Sequence, residues 1–231
     1  MYREPIWNRP EPPRRRPPAP LSRQAIVGAA LGLADAEGLE AVSVRRMASE
    51  LGAGPMRLYG YVGSKDELLA LLVDRVYGEI EAPTQNGDWR ARLRAIAQGT
   101  ERVARRHPWF VSIAGAHPPQ GPNGLRLLEG ALAAVDGLGL DAGEMVRAVH
   151  TVFAYAIGFV QLELVPSSAP QEPADDYVAR MVAGGELPTL ARVFGSLGPV
   201  DAERSFASSL ELVLDGLAAR IEPSGGQGRT S

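Results

Sequence analysis

The sequence predicts an all-α protein, with an N-terminal three-helix head containing a helix-turn-helix and a larger helical bundle behind it. Two observations carry that prediction. Apolar residues recur at helical spacing in successive segments between Leu21 and Ile221, the pattern of amphipathic helices. Ser22, Ser43 and Ser64 each stand immediately before such a segment, where a side-chain oxygen can cap the first free N–H groups. No internal repeat and no strand-like alternation interrupts the pattern.

The elements follow in order. Residues 1–20 hold seven prolines and five arginines and read as a disordered, extended Pro/Arg-rich extension. A first helix starts at Ser22, with Leu21 and Ile26 as a hydrophobic staple, and ends at Gly38, where a C-terminal cap needs a residue free to adopt positive φ. Ser43 opens a second helix, closed by Leu51-Gly52. Gly54 and Pro55 begin a short third one ending near Gly60, proline suiting the first helical position because its missing N–H has no partner there anyway. Ser64-Lys65-Asp66-Glu67 is a capping box for a fourth helix reaching Ile80, broken by Pro83 and Asn86-Gly87. The bundle then reads as Asp88–Arg106, a short apolar helix after Pro108, a Pro/Gly loop over 117–124, Leu125–Leu138, and a nearly all-apolar Asp141–Val165. Short helices around Tyr177–Val182 and Leu190–Phe194 precede a last helix, Asp201–Ile221. The predicted division is 1–20 extension, 21–82 head, 83–222 bundle and 223–231 flexible tail.

Composition narrows the function. The 231 residues include no cysteine, which excludes disulfide scaffolds, thiol catalysis and Cys-ligated zinc. His107, His117 and His150 are too dispersed to suggest a metal, so neither metal nor cofactor is expected. No secretory signal is visible. The longest uncharged helical run, Ala148–Leu162, is 15 residues, short of the ~18–20 of a membrane span. A cytoplasmic protein without membrane contact is expected. The net charge of −3 hides an asymmetry: residues 1–65 carry 10 basic and 6 acidic side chains, the remainder 14 and 21. A basic head on an acidic body suits a polyanionic partner.

Two short helices joined by Leu51-Gly52-Ala53-Gly54 form the helix-turn-helix. Val44, Met47, Leu51 and Leu58 supply the apolar brace between them. The opposite face presents Met56, Arg57, Tyr59 and Tyr61, followed by Lys65 at the start of the next helix. Such residues can touch bases, sugars and phosphates. Ser43 has two readings, N-cap and phosphate-binding hydroxyl. Arg14–Arg16 also has two, an arm for the flanking minor groove or a tail with weak, sequence-independent attraction.

LSRQAIVGAALGLADAEGLEAVSVRRMASELG, GAGPMRLYGYV and GSKDELLALLVDRVYGEI together resemble the DNA-binding domain of the tetracycline-repressor (TetR) family. The resemblance covers Leu21–Ile80. It implies base or phosphate contacts from Arg45, base-edge contacts near Pro55, Met56 and Arg57, an aromatic pair at Tyr59 and Tyr61, and a phosphate contact from Lys65. Gly60 departs from the family, which carries a larger residue there. For the bundle the resemblance implies an all-helical domain that binds a small-molecule effector and dimerises.

Candidate effector walls are Trp89, Trp109, Phe110, Met145, Val149, Phe153 and Met181, with His107, His117 and especially His150 as polar groups. In the last helix Phe206, Leu210, Val213, Leu214, Leu217 and Ile221 form one apolar stripe. Ala154 and Gly158 allow close approach of a neighbour on the 141–165 helix. With the resemblance, Ala154, Gly158, Phe206, Leu210, Val213, Leu214 and Leu217 are the expected homodimer interface. The expected function is a regulator, a repressor released from a pseudo-palindromic double-stranded DNA operator by an effector. An activator of the same fold is the alternative. A helical binding protein or enzyme without DNA function is disfavoured, because no nucleophile–base pair, metal constellation or phosphate loop is present.

Overall fold

The computed structural model describes residues 5–11, 21–81, 87–164, 172–196 and 202–221. Arg14–Arg16, the predicted boundary at 82/83 and the 223–231 tail lie outside these residues. Every regular element among the described residues is helical: α1 Arg23–Glu37, α2 Val44–Glu50, α3 Pro55–Leu58, α4 Lys65–Tyr77, α5 Trp89–Arg106, α6 Phe110–Ile113, α7 Pro122–Val135, α8 Ala142–Leu164, α9 Glu172–Ala183, α10 Pro188–Ser196 and α11 Ala202–Ile221, with 3₁₀ turns at Ile6–Asn8 and Leu39–Ala41.

The caps explain most boundaries. Ser22, Ser43 and Ser64 accept from the N–H groups of Ala25, Arg46 and Glu67 at 3.1, 3.3 and 3.1 Å. Asp88 does the same for Ala91 at 2.7 Å, and Asp141 and Glu144 cap each other's N–H groups before and within α8. Gly38 closes α1 at φ +84°, a conformation that favours glycine.

Three expectations are corrected. α4 ends at Tyr77 rather than Ile80, the chain passing into a turn there. α7 starts at Pro122, three residues before the expected Leu125, inside the segment read as a loop. Its cap comes from elsewhere: Asp74 Oδ1 on α4 accepts from the N–H groups of Asn123 and Gly124, both at 2.9 Å. The extension is not wholly disordered, since Ile6 is buried and Arg9 pairs with Glu67.

α1, α2 and α3 pack around Ile26, Ala30, Met47 and Leu58, and α4 runs from this head into the bundle, touching α1 at one end and α6 and α7 at the other. α5 and α8 make the most extensive pairing, with α7 and α11 flanking them. By length and composition α8 alone among the described helices could cross a membrane. It packs instead with Val149, Val152, Ala156 and Val160 buried against neighbouring helices.

Charges clamp α11 to α5. Glu211 accepts from Arg94 Nε at 2.7 Å and from Arg90 at 2.7 Å, and Arg90 also reaches Asp215 at 2.5 Å. The Arg94 and Arg90 guanidiniums hold the Glu211 carboxyl down at about 2, from its ordinary 4.5. A depressed folded value stabilises above the unfolded value and is lost on acidification. The clamp is therefore complete above pH 4.5 and fades as pH falls toward about 2. Glu211→Gln is expected to flatten the stability–pH curve across that window in acid-unfolding experiments. Its cost at neutral pH is under about 1 kcal/mol, because the pair is solvent-screened.

Candidate nucleic-acid interface and effector cavity

The head divides its helix-turn-helix residues cleanly by burial. Met47 and Leu58 are each 2% exposed, while Met56 is 81% and Tyr59 51% exposed. Arg45, Pro55, Arg57, Lys65 and Ser43 are exposed as well. The packing of α2 on α3 produces this split, because burying Leu58 in the core turns the other side of α3 to solvent. Ser43 is an N-cap: its oxygen accepts from the Arg46 N–H, which leaves its O–H able to donate.

Tyr61 differs from Tyr59. Its ring is half-buried against the core, and its carbonyl accepts from Arg23 Nε at 3.2 Å. The cations of α2, α3 and the start of α4 (Arg45, Arg46, Arg57 and Lys65) are of two kinds. Arg46 is paired with Glu37 through both guanidinium nitrogens, one contact at 2.6 Å. That hydrogen-bonded pairing lowers the Glu37 carboxyl and raises Arg46. Arg45, Arg57 and Lys65 have no ion-pair partner among the described residues. Three unpaired cations, an exposed thioether and an exposed phenol thus lie at the solvent surface of α2, α3 and the first residue of α4. Such a surface matches a phosphate backbone and the base edges between its strands.

Behind the head lies an apolar cavity of about 200 Å³. Tyr77 of α4, Ala114 and Gly115 after α6, Gly124, Leu127 and Leu128 of α7, and His150, Phe153, Ala154 and Ile157 of α8 line it. Phe110 packs edge-on against Tyr77 at 5.4 Å, one layer behind the wall. Burial, and secondarily the Asp74 charge, push the Tyr77 phenol up to about 12, so it stays protonated.

Of the expected effector residues, His150 and Phe153 line this cavity. Trp109, Phe110 and Val149 belong to the core beneath it, and Trp89 and Met145 pack on that core elsewhere. These five lie outside the cavity lining: helical periodicity marks an inward side chain without distinguishing a filled interior from a hollow one. Met181 lies on α9 away from the cavity, and His117 does not reach it. His107 is 3% exposed and sits between two carboxylates, Asp35 at 2.6 Å and Glu79 at 3.1 Å, with Trp109 Nε1 donating to the same Asp35 oxygen at 2.7 Å. It thus joins α1, the end of α4 and the α5–α6 corner. Tyr77, Gly124 and Leu127 were not foreseen as cavity residues.

The residues expected at the interface divide by burial in the same way. Phe206, Leu210 and Leu214 are at most 1% exposed in the single chain, against Tyr155, Phe159 and the core. A side chain enclosed by its own protomer has no surface left for a partner. Ala154 is exposed, and Gly158, Val213 and Leu217 are partly so. The outward stripe the sequence missed contains Leu162 at 78% and Leu212 at 73% exposure.

Residues 26–72 match the family model for bacterial regulatory proteins of the tetR family, and residues 82–221 match that for the tetracyclin repressor-like C-terminal domain. The chain is 35% identical over 228 residues to the HTH-type transcriptional repressor DrrR1 of Streptomyces coeruleorubidus, covering 94% of this chain and 84% of that one. Apo ActR from Streptomyces coelicolor is similar with a TM-score of 0.75 and 32% identity, covering 88% of this chain and 100% of ActR. ActR in complex with actinorhodin gives 0.76 and 29%, covering 90% and 100%.

Proposed function

The chain belongs to the TetR family of effector-responsive DNA-binding transcriptional regulators, and from that premise we propose that it is a cytoplasmic homodimeric repressor without catalytic activity, released from a pseudo-palindromic operator when its cavity fills. The face of Arg45, Arg57, Lys65, Met56 and Tyr59 carries this reading. Two such faces, one per protomer, would enter successive major grooves about 34–36 Å apart. The head spans residues 21–82 and the effector and dimerisation domain 83–222.

The outward stripe of α8 and α11, with Ala154, Gly158 and Leu162 beside Leu212 and Gly216, supports the dimer interface. It presents small residues and two large exposed leucines on adjacent helices, a surface suited to close helix–helix packing. The effector is a largely apolar small molecule, which the lining of Phe153, Leu127, Leu128 and Ile157 favours, with His150 as its polar anchor. An occupant touching Tyr77 and Gly124 at once would shift α4 against α7, and α4 begins with Lys65 at the DNA face. A coupling of about 1–3 kcal/mol is usual for such linkage.

Gel-shift titration against the chain's own promoter region, backed by random-site selection at fixed salt, tests the proposal. Salt-sensitive, sequence-specific binding is expected, and its absence in both assays rejects it. Arg57→Ala is expected to weaken operator binding by ~1–3 kcal/mol and relax discrimination at one base position. Lys65→Ala is expected to weaken all duplexes alike and lower the salt slope by about one. An unchanged operator affinity for Arg57→Ala would show that α3 does not read bases with this side chain.

A further inference from the structure

The Ile6–Glu11 segment touches both the head and the bundle, beside the links made by α4 and by the Asp35–His107–Trp109 bonds. Arg9 pairs with Glu67 in the first turn of α4. Glu67 Oε2 also accepts from the Gly63 N–H at 2.8 Å, closing the turn that follows α3. Arg23, the first residue of α1, donates Nη1 to the Arg9 carbonyl at 2.8 Å and Nε to the Tyr61 carbonyl at 3.2 Å. Its own N–H donates to Glu11 Oε1 at 2.6 Å. One arginine thereby links the segment to the end of the helix-turn-helix.

The other end of the segment reaches the bundle. Trp7 lies so close to Gly121, the N-cap of α7, that a Cβ there would fall 2.7 Å from Trp7 Cη2. Gly124, one turn further on, lines the effector cavity. Ile6 is 5% exposed, so the segment is anchored by an apolar contact as well as by charge.

We infer that residues 6–11 form a positioning strap, in which Arg9, acting through Glu67, and Arg23, acting through the Tyr61 carbonyl, hold the α3–α4 turn in register for DNA while Trp7 fastens the strap to the start of α7. This inference rests on the DNA-reading role proposed above. Arg9 has a second effect of the same sign. It offsets the Glu67 carboxylate two residues from Lys65, where an uncompensated negative charge would repel phosphate. Because Trp7 is uncharged, its removal tests positioning without altering the electrostatics.

The test uses the full chain and an operator recovered by random-site selection, with a scrambled duplex of equal length at the same salt. Trp7→Ala and Arg9→Glu are each expected to lower operator affinity about tenfold. Their affinity for the scrambled duplex should fall less than about threefold, and the melting temperature should stay within a few degrees of wild type. Arg9→Lys, which keeps the charge, is expected to restore most of the loss. Should Arg9→Glu fail to fold, Arg9→Gln is read in the same way. Operator affinity within twofold of wild type in Trp7→Ala overturns the strap, as does a parallel loss on both duplexes. If wild type selects an operator and the variants bind it normally, only the strap falls. If wild type selects none, the DNA-reading role falls and the strap with it.

Discussion

Gly158→Arg is expected to leave the protomer folded, convert the protein to a monomer, and cost about 10²–10⁴-fold in operator affinity, the range typical of losing a linked second site. The protomer can accept the change because a Cβ at Gly158 meets nothing within 4 Å. Replacing a mid-helix glycine also relieves about 0.5–1 kcal/mol of helix cost, so the melting temperature of the isolated protomer should not fall. Across the proposed interface the same side chain would sit where two helices approach closely, introducing bulk and an unpaired cation. Gly216→Arg on α11 is a second probe on the same face, again with nothing within 4 Å of its Cβ. Sedimentation or light scattering reads the oligomeric state, and operator titration reads the affinity. A variant that stays dimeric with wild-type affinity would place the interface elsewhere.

Asp74→Ala is expected to destabilise the protein by about 2–3 kcal/mol, the cost of leaving neutral N–H donors without their acceptor. Asp74 is 6% exposed, and its carboxylate receives the Asn123 and Gly124 N–H groups at 2.9 Å and the Asn123 amide at 3.0 Å. Alanine would leave the Asn123 and Gly124 N–H groups without this acceptor, while the Asn123 amide would keep only the Asp74 carbonyl at 3.2 Å. Asp74→Asn, keeping the shape and one acceptor oxygen, should cost roughly half as much. Chemical denaturation with unchanged m-value measures both. The location matters more than the magnitude, because the bond joins the helix that starts at the DNA face to the helix that walls the cavity. Weakening it should therefore also reduce the coupling between the two sites, which operator titration with and without an effector found by thermal-shift screening would register.

The head was legible because its determinants are local. Ser22, Ser43 and Ser64 cap the helices they precede in sequence, and Pro55 and Gly54 open α3 as their backbone chemistry requires. Arg45, Met56, Arg57, Tyr59 and Lys65 could be read as exposed because two short helices that bury Met47 and Leu58 leave little freedom of orientation. The pairing of Arg46 with Glu37 was not legible, since nine residues and a turn separate them.

The bundle was legible as helices and not as sites. Phe206, Leu210 and Leu214 form the apolar stripe that α11 was expected to carry, yet the stripe faces α8 of the same chain. Trp109 was expected to face an effector and instead donates to Asp35, 74 residues away. The start of α7 was misplaced because its cap is Asp74, 49 residues upstream of Asn123. Of the arm read as disordered, residues 6–11 became a strap through Trp7, Arg9 and Arg23, partners that no local pattern announces.

By itself the sequence determined the helical class, the helix-turn-helix and which of its residues stay exposed, because caps, turns and amphipathic period are set within a few residues of where they act. The tertiary structure alone decided which apolar face is core, which lines a cavity and which remains outside. Apolar attraction carries no direction, so a stripe of leucines specifies that it will be covered without specifying by what. The ties across α4, Asp74 to α7 and His107 to Asp35 and Glu79, were decided there too, since a buried polar group takes whichever partner the packing brings within hydrogen-bond reach.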